Sequence, residues 1–345
     1  MGSRERSVEG RNDMAIIDGT RREERYAPAE HGTWVVGIDG SACAENALGW
    51  AEANAPGRAT ALELVTAWQT PVTGAYPMSG PAVVPYDDDE IRRAATTDAE
   101  RLADAARSVV QIPVQPLVGH GSPATVLLDA AANGSLLVVG SRGRGGFARL
   151  LLGSTSTQCA THAAVPTVVV PADVPPAPTE RILVGFDGSP NSMAALRWAI
   201  HFAAPGSTIV VAWVWDATPL AVGADAFFFP DASDLAAERF NHLVESVAAD
   251  AGEADVVLER EFIRGTPRSA LYEAADDTDL LVVGARGHGA VGSALLGSVS
   301  TWLLHHVHRP TAVIPFDDGS TSDEVSAAED ASVVGDASSS SAPDR

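Results

Sequence analysis

Two stretches 144 residues apart carry the same spacing: GSRGRGGFARLLLGS over Gly140–Ser154 and GARGHGAVGSALLGS over Gly284–Ser298, each G-x-x-G, nine residues, then G-S. A long spacing that occurs twice marks a tandem repeat, which limits the fold more than any local propensity does. The remaining segments match in the same order. WVVGIDGS (Trp34–Ser41) pairs with ILVGFDGS (Ile182–Ser189), and ALELVTAW (Ala61–Trp68) with STIVVAWVW (Ser207–Trp215). GSPATVLLDAA pairs with GTPRSALYEAA, SLLVVG with DLLVVG, and VPTVVVP with RPTAVIP.

Each repeat alternates short β-branched runs with longer segments of helical spacing, the pattern of buried parallel strands joined by helices. Ser122-Pro123, Ser189-Pro190 and Thr266-Pro267 each place an N-cap residue before proline at the first helical position. The expected fold is α/β: two tandem doubly wound domains, five parallel strands each. The expected boundaries are a disordered extension over 1–31, a first domain over 32–171, a proline-rich semi-extended linker over 172–180, a second domain over 181–316 and an acidic tail over 317–345. The tail holds eight acidic residues, one basic residue and SSSS, a composition that cannot bury a core.

The formal charge of −22 weighs against nucleic acid and anionic membranes as partners, since both repel it. The sequence holds neither a signal-peptide-like run nor eighteen consecutive apolar residues, so a soluble, cytoplasmic protein is expected. Every Lys/Arg position is Arg. The absence of Lys rules out a Walker-type GK[ST] loop and a Schiff-base enzyme. Cys43 and Cys159 read as buried apolar residues of a reducing compartment. His305, His306 and His308 sit at a helix end; because His162 stands at the first repeat's equivalent of His306, packing or capping is expected there, not metal.

In open α/β sheets, ligands bind beyond the carboxyl ends of strands where the winding reverses. Two motifs fall at such ends: Gly37-Ile38-Asp39-Gly40-Ser41 after strand one, and the glycine stretch after strand four. Gly140 and Gly143 read as positions where a side chain would block a ligand. Gly153-Ser154 opens a helix whose first N–H groups and dipole suit an anion, phosphate above all. Arg142, Arg144 and Arg149 add charge in the first copy, Arg286 and His288 in the second. The alternative is an ordinary strand–helix turn with Ser154 and Ser298 as N-caps. Asp39 and Asp187 also have two readings. Asp-Gly-Ser is plain turn chemistry, or the carboxylate stands away from the phosphates and accepts hydrogen bonds from an adenosine.

VGIDGS and VGFDGS, with the glycine spacing after strand four, resemble the universal stress protein family in its ATP-binding branch. LLGSVSTWLLHHVHRPTAVIP is similar to tandem-domain members of mycobacteria and related actinobacteria. The resemblance covers about residues 33–171 and 181–316. It implies a strand order of 3-2-1-4-5 and ATP at the crevice between strands one and four of each domain, with Mg²⁺ admissible beside its phosphates. Carried over, Gly37 and Asp39 approach the adenosine, Trp68 takes the base-contacting place, and Val139 and Gly140 line base and ribose. Ser141, Arg142, Gly143, Arg144, Gly145 and Gly146 wrap the phosphates, with Arg149 beside them and Gly153, Ser154 and Thr155 closing the site. The second set is Gly185, Asp187, Trp213, Val283, Gly284, Ala285, Arg286, Gly287, His288, Gly289, Gly297, Ser298 and Val299. Two departures stand out: Trp is large for the base-contacting place, and Ser135 stands where the second repeat has Asp279. The strand-five edges, Thr167–Val170 and Thr311–Ile314, are apolar and need covering. An intramolecular pseudo-twofold pair is expected, with a homodimer as a further level. The reading is a nucleotide-dependent regulator of stress response or growth. A slow ATPase or phosphate-transferring enzyme of the same fold, and a scaffold without nucleotide, are the rivals.

Overall fold

The structure is a computed structural model and describes residues 32–70, 87–143, 152–215, 231–252, 254–287 and 296–315. The N-terminal extension and the acidic tail lie outside the described residues. In chain order the first repeat contains β1 (Gly32–Gly37), α1 (Ala42–Asn54), β2 (Ala59–Trp68), α2 (Asp88–Arg107), β3 (Val114–His120), α3 (Pro123–Ala131), β4 (Leu136–Gly140), α4 (Ser154–His162) and β5 (Thr167–Val170). The second contains β6 (Arg181–Phe186), α5 (Pro190–Phe202), β7 (Thr208–Trp215), α6 (Asp231–Ala251), β8 (Val257–Arg264), α7 (Pro267–Ala275), β9 (Leu280–Gly284), α8 (Ser298–His306) and β10 (Thr311–Ile314).

Both repeats show the 3-2-1-4-5 order, and they meet in one ten-stranded sheet, β3-β2-β1-β4-β5-β10-β9-β6-β7-β8. Pairing within each repeat is parallel; β5 and β10 pair antiparallel. Val168 lies opposite Ala312, its own counterpart in the second repeat, with Thr311 opposite Val169 and Val313 opposite Thr167. A register that exchanges each residue for its counterpart is that of a pseudo-twofold axis through Val168 and Ala312. The apolar edges are thus covered inside the chain, as expected, and a homodimer has to use another surface.

The central strands β4, β5, β9 and β10 are buried on both faces, which is why they are apolar runs. Val36, Leu64 and Val138 pack with Ala47, Ala99, Leu196 and Phe240 of α1, α2, α5 and α6. Val35, Leu137 and Val139 pack with Leu127, Cys159, Leu271 and Leu303 of α3, α4, α7 and α8. On the first face, Phe202 of the second repeat stacks against Trp34 and Trp50 of the first, at 6.1 and 6.0 Å between centroids. Arg58 of the first repeat adds its guanidinium over the Phe202 ring at 4.7 Å. Burial pushes the Cys159 thiol up to about 12, consistent with an inert core residue.

Two of the three expected caps before proline form. The hydroxyls of Ser122 and Ser189 accept from Thr125 N and Ser192 N. Thr266 occupies the N-cap position of α7 but makes no cap bond; its hydroxyl donates to Ser269 Oγ instead, at 3.2 Å.

The segment over 172–180 is not a free linker. It is tied to α1 by two asparagines whose side chains satisfy its backbone. Asn46 Nδ2 donates to the carbonyls of Pro171, Ala172 and Val174. Asn54, fully buried, donates to Ala177 O and accepts from Thr179 N at 2.8 Å. Asp279 has a structural role in the same region: its carboxylate accepts from the N–H groups of Glu180 and Arg181 and fixes the entry to β6. Replacing Asn54 by Ala strands buried backbone groups and should cost about 1–3 kcal/mol in urea denaturation. A loss below about 0.5 kcal/mol would show that these bonds do not hold the segment.

Candidate functional site

β1 lies between β2 and β4, with Val36 opposite Val138, so the turns leaving β1 and β4 emerge side by side at the carboxyl edge. The same holds for β6 and β9. This is the winding reversal where doubly wound sheets place ligands.

The turn after β1 is built by its own aspartate. Asp39 Oδ1 accepts from Ser41 N at 2.9 Å, and Asp187 Oδ1 from Ser189 N at the same distance. Between them, Gly40 and Gly188 take φ of 71° and 78°, the left-handed region that favours glycine. Ser41 then caps α1 through Ala44 N, and its hydroxyl donates to Arg142 O at 3.3 Å, bridging to the other loop.

The carboxylates do not stand away from the glycine stretch. A Cβ on Gly143 would lie 2.6 Å from Asp39 Oδ2, and one on Gly287 would lie 2.5 Å from Asp187 Oδ2. The nearest reason for glycine at these positions is therefore the aspartate. Gly140 has a different reason. A Cβ there would lie 2.6 Å from the Cys43 carbonyl carbon, so the bare backbone lets α1 pack onto the end of β4. At Gly284 the corresponding atoms belong to Asn191.

The fourteen-residue spacing closes a loop. Gly153 N donates to Ser141 O at 2.7 Å, and Gly297 N to Ala285 O at 2.8 Å. Gly153 and Gly297 are themselves the N-caps of α4 and α8, and no side chain caps either helix. Ser154 and Ser298 occupy the first helical positions and are not the caps. Among the described residues nothing accepts from the first-turn N–H groups of Ser154 and Thr155, or of Ser298 and Val299, which suits them to an outside acceptor.

Two residues of this construction escaped the motif reading. Ser156 Oγ donates to Gly140 O at 2.6 Å, and Ser300 Oγ to Gly284 O at 2.7 Å, tying each helix start to the strand before it. Their signal was present in the sequence as G-S-x-S-T, which occurs in both copies (Gly153–Thr157 and Gly297–Thr301).

Other expected site residues fall elsewhere. Val139 and Val283 are buried in the core against Gly37 and Gly185, leaving only their backbone for a ligand. Ser141 is also buried, its hydroxyl toward Cys43 Sγ at 3.8 Å. Trp213 is not the counterpart of Trp68. Gly37 pairs with Val65 and Gly185 with Ala212, so Trp68 is level with Trp215. The carbonyls agree, because Gly121 N donates to Trp68 O and Gly265 N to Trp215 O. Trp68 packs on His120 at 4.6 Å, whereas Trp213 packs on Phe186 and Phe240 and lies beside Gly188. Arg144, Gly145, Gly146, Arg149, His288 and Gly289 lie outside the described residues. Arg142 and Arg286 stand at the starts of the two loops, half-buried and exposed respectively.

His306 meets the capping expectation. Its Nδ1 lies 2.7 Å from Trp302 O and its ring stacks on Trp302 at 4.0 Å. Among the described residues no group of three His, Cys, Asp or Glu is arranged to hold a metal, and no helix is long and apolar enough to cross a membrane.

The model of the universal stress protein family matches residues 32–171 and again 178–315. A universal stress protein of Mycolicibacterium smegmatis is 32% identical over 287 residues, which is 81% of this chain and 96% of that one. One from Mycobacterium tuberculosis is 28% identical over 292 residues, 82% and 97% of the two chains. The crystal structure of a universal stress protein from Archaeoglobus fulgidus shares the fold at 19% identity, with a TM-score of 0.58 over 82% of this chain and 98% of that one. With the 3-2-1-4-5 sheet, the closed glycine loop and the Asp-Gly-Ser turn each present twice, this chain belongs to the universal stress protein family, two of whose domains it carries in tandem.

Proposed function

We propose that each repeat binds one ATP and that the protein is a nucleotide-dependent regulator of stress response or growth, not a dedicated enzyme. The observation that carries this reading is the loop closure made in both repeats, Gly153 N to Ser141 O and Gly297 N to Ala285 O, which presents an uncapped helix start at the carboxyl edge of the sheet. Backbone N–H groups at such a start are suited to phosphate oxygens. The N–H groups of Ser154, Thr155, Ser298 and Val299 would hold the phosphates, with Arg142 and Arg286 supplying charge. The triphosphate supplies charge that the loops can grip, and Mg²⁺ is a natural companion to it. Asp39 and Asp187 set the loop position through Gly143 and Gly287.

The regulatory half of the reading rests on chemistry the sequence lacks. No lysine is present to stabilise a transferring phosphoryl group. Bound ATP should persist, with turnover far below the roughly 1–100 per second of kinases. The test is direct: purify the full chain, denature it and quantify released adenine nucleotide, then titrate the emptied protein with ATP. Two sites per chain and slow hydrolysis are expected. Failure to bind ATP would favour the scaffold reading. Turnover in the kinase range with a defined acceptor would make the protein an enzyme.

A further inference from the structure

The seam between the repeats holds a partly open pocket of about 90 Å³, where the end of α8 meets β5 and the start of the first glycine loop. In a chain of formal charge −22, its wall is basic: Arg142, His305, His306, His308 and Arg309 line it, with Asp173 as the acidic residue among them.

The pseudo-twofold shows that the fold does not require this wall. The counterparts of His305, His308 and Arg309 in the first repeat are Thr161, Ala164 and Val165. Helix capping accounts for His306, through Trp302, and for part of Arg309, through the C-cap carbonyl of α7, but not for His305 or His308. His308 Nδ1 lies 3.3 Å from Asp173 Oδ2, so the carboxylate is held by its own histidine. Arg309 Nη2 donates to Asp276 O, while its Nε is buried without a partner. An unmet buried donor costs about 1–3 kcal/mol and calls for an acceptor. The Arg142 guanidinium and the His305 ring make no hydrogen bond or ion pair with another described residue. By the liquid volume of water, the space holds roughly three waters, or one compact oxyanion.

We propose that this cavity binds a phosphate group, inorganic or at the end of a phosphomonoester, between the two repeats. Arginine forks match phosphate oxygens, and Arg142 also begins the first glycine loop, so the seam and that loop share a residue. Burial, and then the charge of His306, hold the His305 imidazole below its usual range. An anion reverses that preference by favouring the imidazolium.

The experiment titrates the full chain with inorganic phosphate and with glycerol 3-phosphate, followed by ³¹P line broadening and calorimetry at one fixed pH. The triple variant His305→Thr, His308→Ala, Arg309→Val carries the residues with which the first repeat already folds. Arg309→Gln serves as a milder second variant. One saturable site is expected, at least about tenfold weaker in the triple variant, a difference of about 1.4 kcal/mol. Equal affinity for the two ligands would assign the site to the phosphate group alone. Tighter binding of the ester would assign it to an organic phosphate. Either supports the proposal when the variants lose it. Absence of saturable binding up to about 10 mM, a free energy near −3 kcal/mol, would mean that water fills the cavity. Unchanged binding in both variants would place the phosphate elsewhere, the glycine loops included. Both results overturn the proposal.

Discussion

Val168→Asp lowers the stability of the whole protein by at least about 4 kcal/mol, a large share of the roughly 5–15 kcal/mol that holds a typical domain folded. Val168 is fully buried on the pseudo-twofold axis, opposite Ala312, which is fully buried too. An unpaired carboxylate there loses its hydration and finds no cation in exchange, an expense of several kcal/mol. The aliphatic contacts of the valine are lost as well, at about 1–3 kcal/mol. Val168→Ala isolates that second part and should fall in its range. Because β5 and β10 share the axis, and because Phe202 stacks on Trp34 and Trp50 across the repeats, the wild type should unfold in one transition. Thermal and urea denaturation check both statements. A Val168→Asp protein within about 1 kcal/mol of wild type would show that the seam contributes little.

The axis illustrates what a sequence of this kind reveals and what it withholds. Strand five announces itself twice as a short β-branched run after proline, TVVV and TAVI. Its burial on both faces follows from that composition. An apolar edge needs a cover, so some partner was expected; that the partner is the other repeat rested on the family resemblance. The antiparallel register centred on Val168 could not be read from the chain, since it is set by contacts more than a hundred residues apart. The ties that hold the linker over 172–180 were hidden for the same reason. Its prolines suggest a spacer, but Asn46 and Asn54, more than 120 residues earlier, make it part of the first repeat's surface. The tryptophan mismatch has a simpler cause. Trp213 and Trp215 both sit near the end of β7 on the same face, and only the ladder tells which one is level with Trp68. At the carboxyl edge, the glycine spacing was fully visible, but its meaning was not. Each glycine was read as space for a ligand, whereas the neighbours at Gly140, Gly143 and Gly37 are protein atoms.

That difference leads to a contrast between two neighbouring substitutions. Gly140→Val should destabilise the first repeat by about 3 kcal/mol or more, because the new side chain meets the Cys43 carbonyl carbon and oxygen of α1 at 2.6 and 2.7 Å, and backbone cannot yield cheaply. Among the described residues Gly143→Ala meets only the Asp39 carboxylate, the end of a side chain, and Gly143 is exposed. It should change stability by about 0.5 kcal/mol or less, the usual range for surface positions. Its effect falls on the site. Moving Oδ2 away disturbs the turn that Asp39 Oδ1 makes with Ser41 N, and with it the bridge from Ser41 to Arg142 O. On the nucleotide reading, Gly143→Ala should weaken ATP binding in the first repeat by about tenfold or more, or 1.4 kcal/mol. The second repeat should bind as before, so calorimetry should resolve one strong and one weak site per chain. Gly287→Ala should give the mirror result, and the double variant should lose both strong sites while melting near the wild-type temperature. If Gly143→Ala destabilises the fold as much as Gly140→Val does, the loop is part of the core and not a ligand cradle. If both titration sites survive the double variant unchanged, the aspartate–glycine contact plays no part in binding.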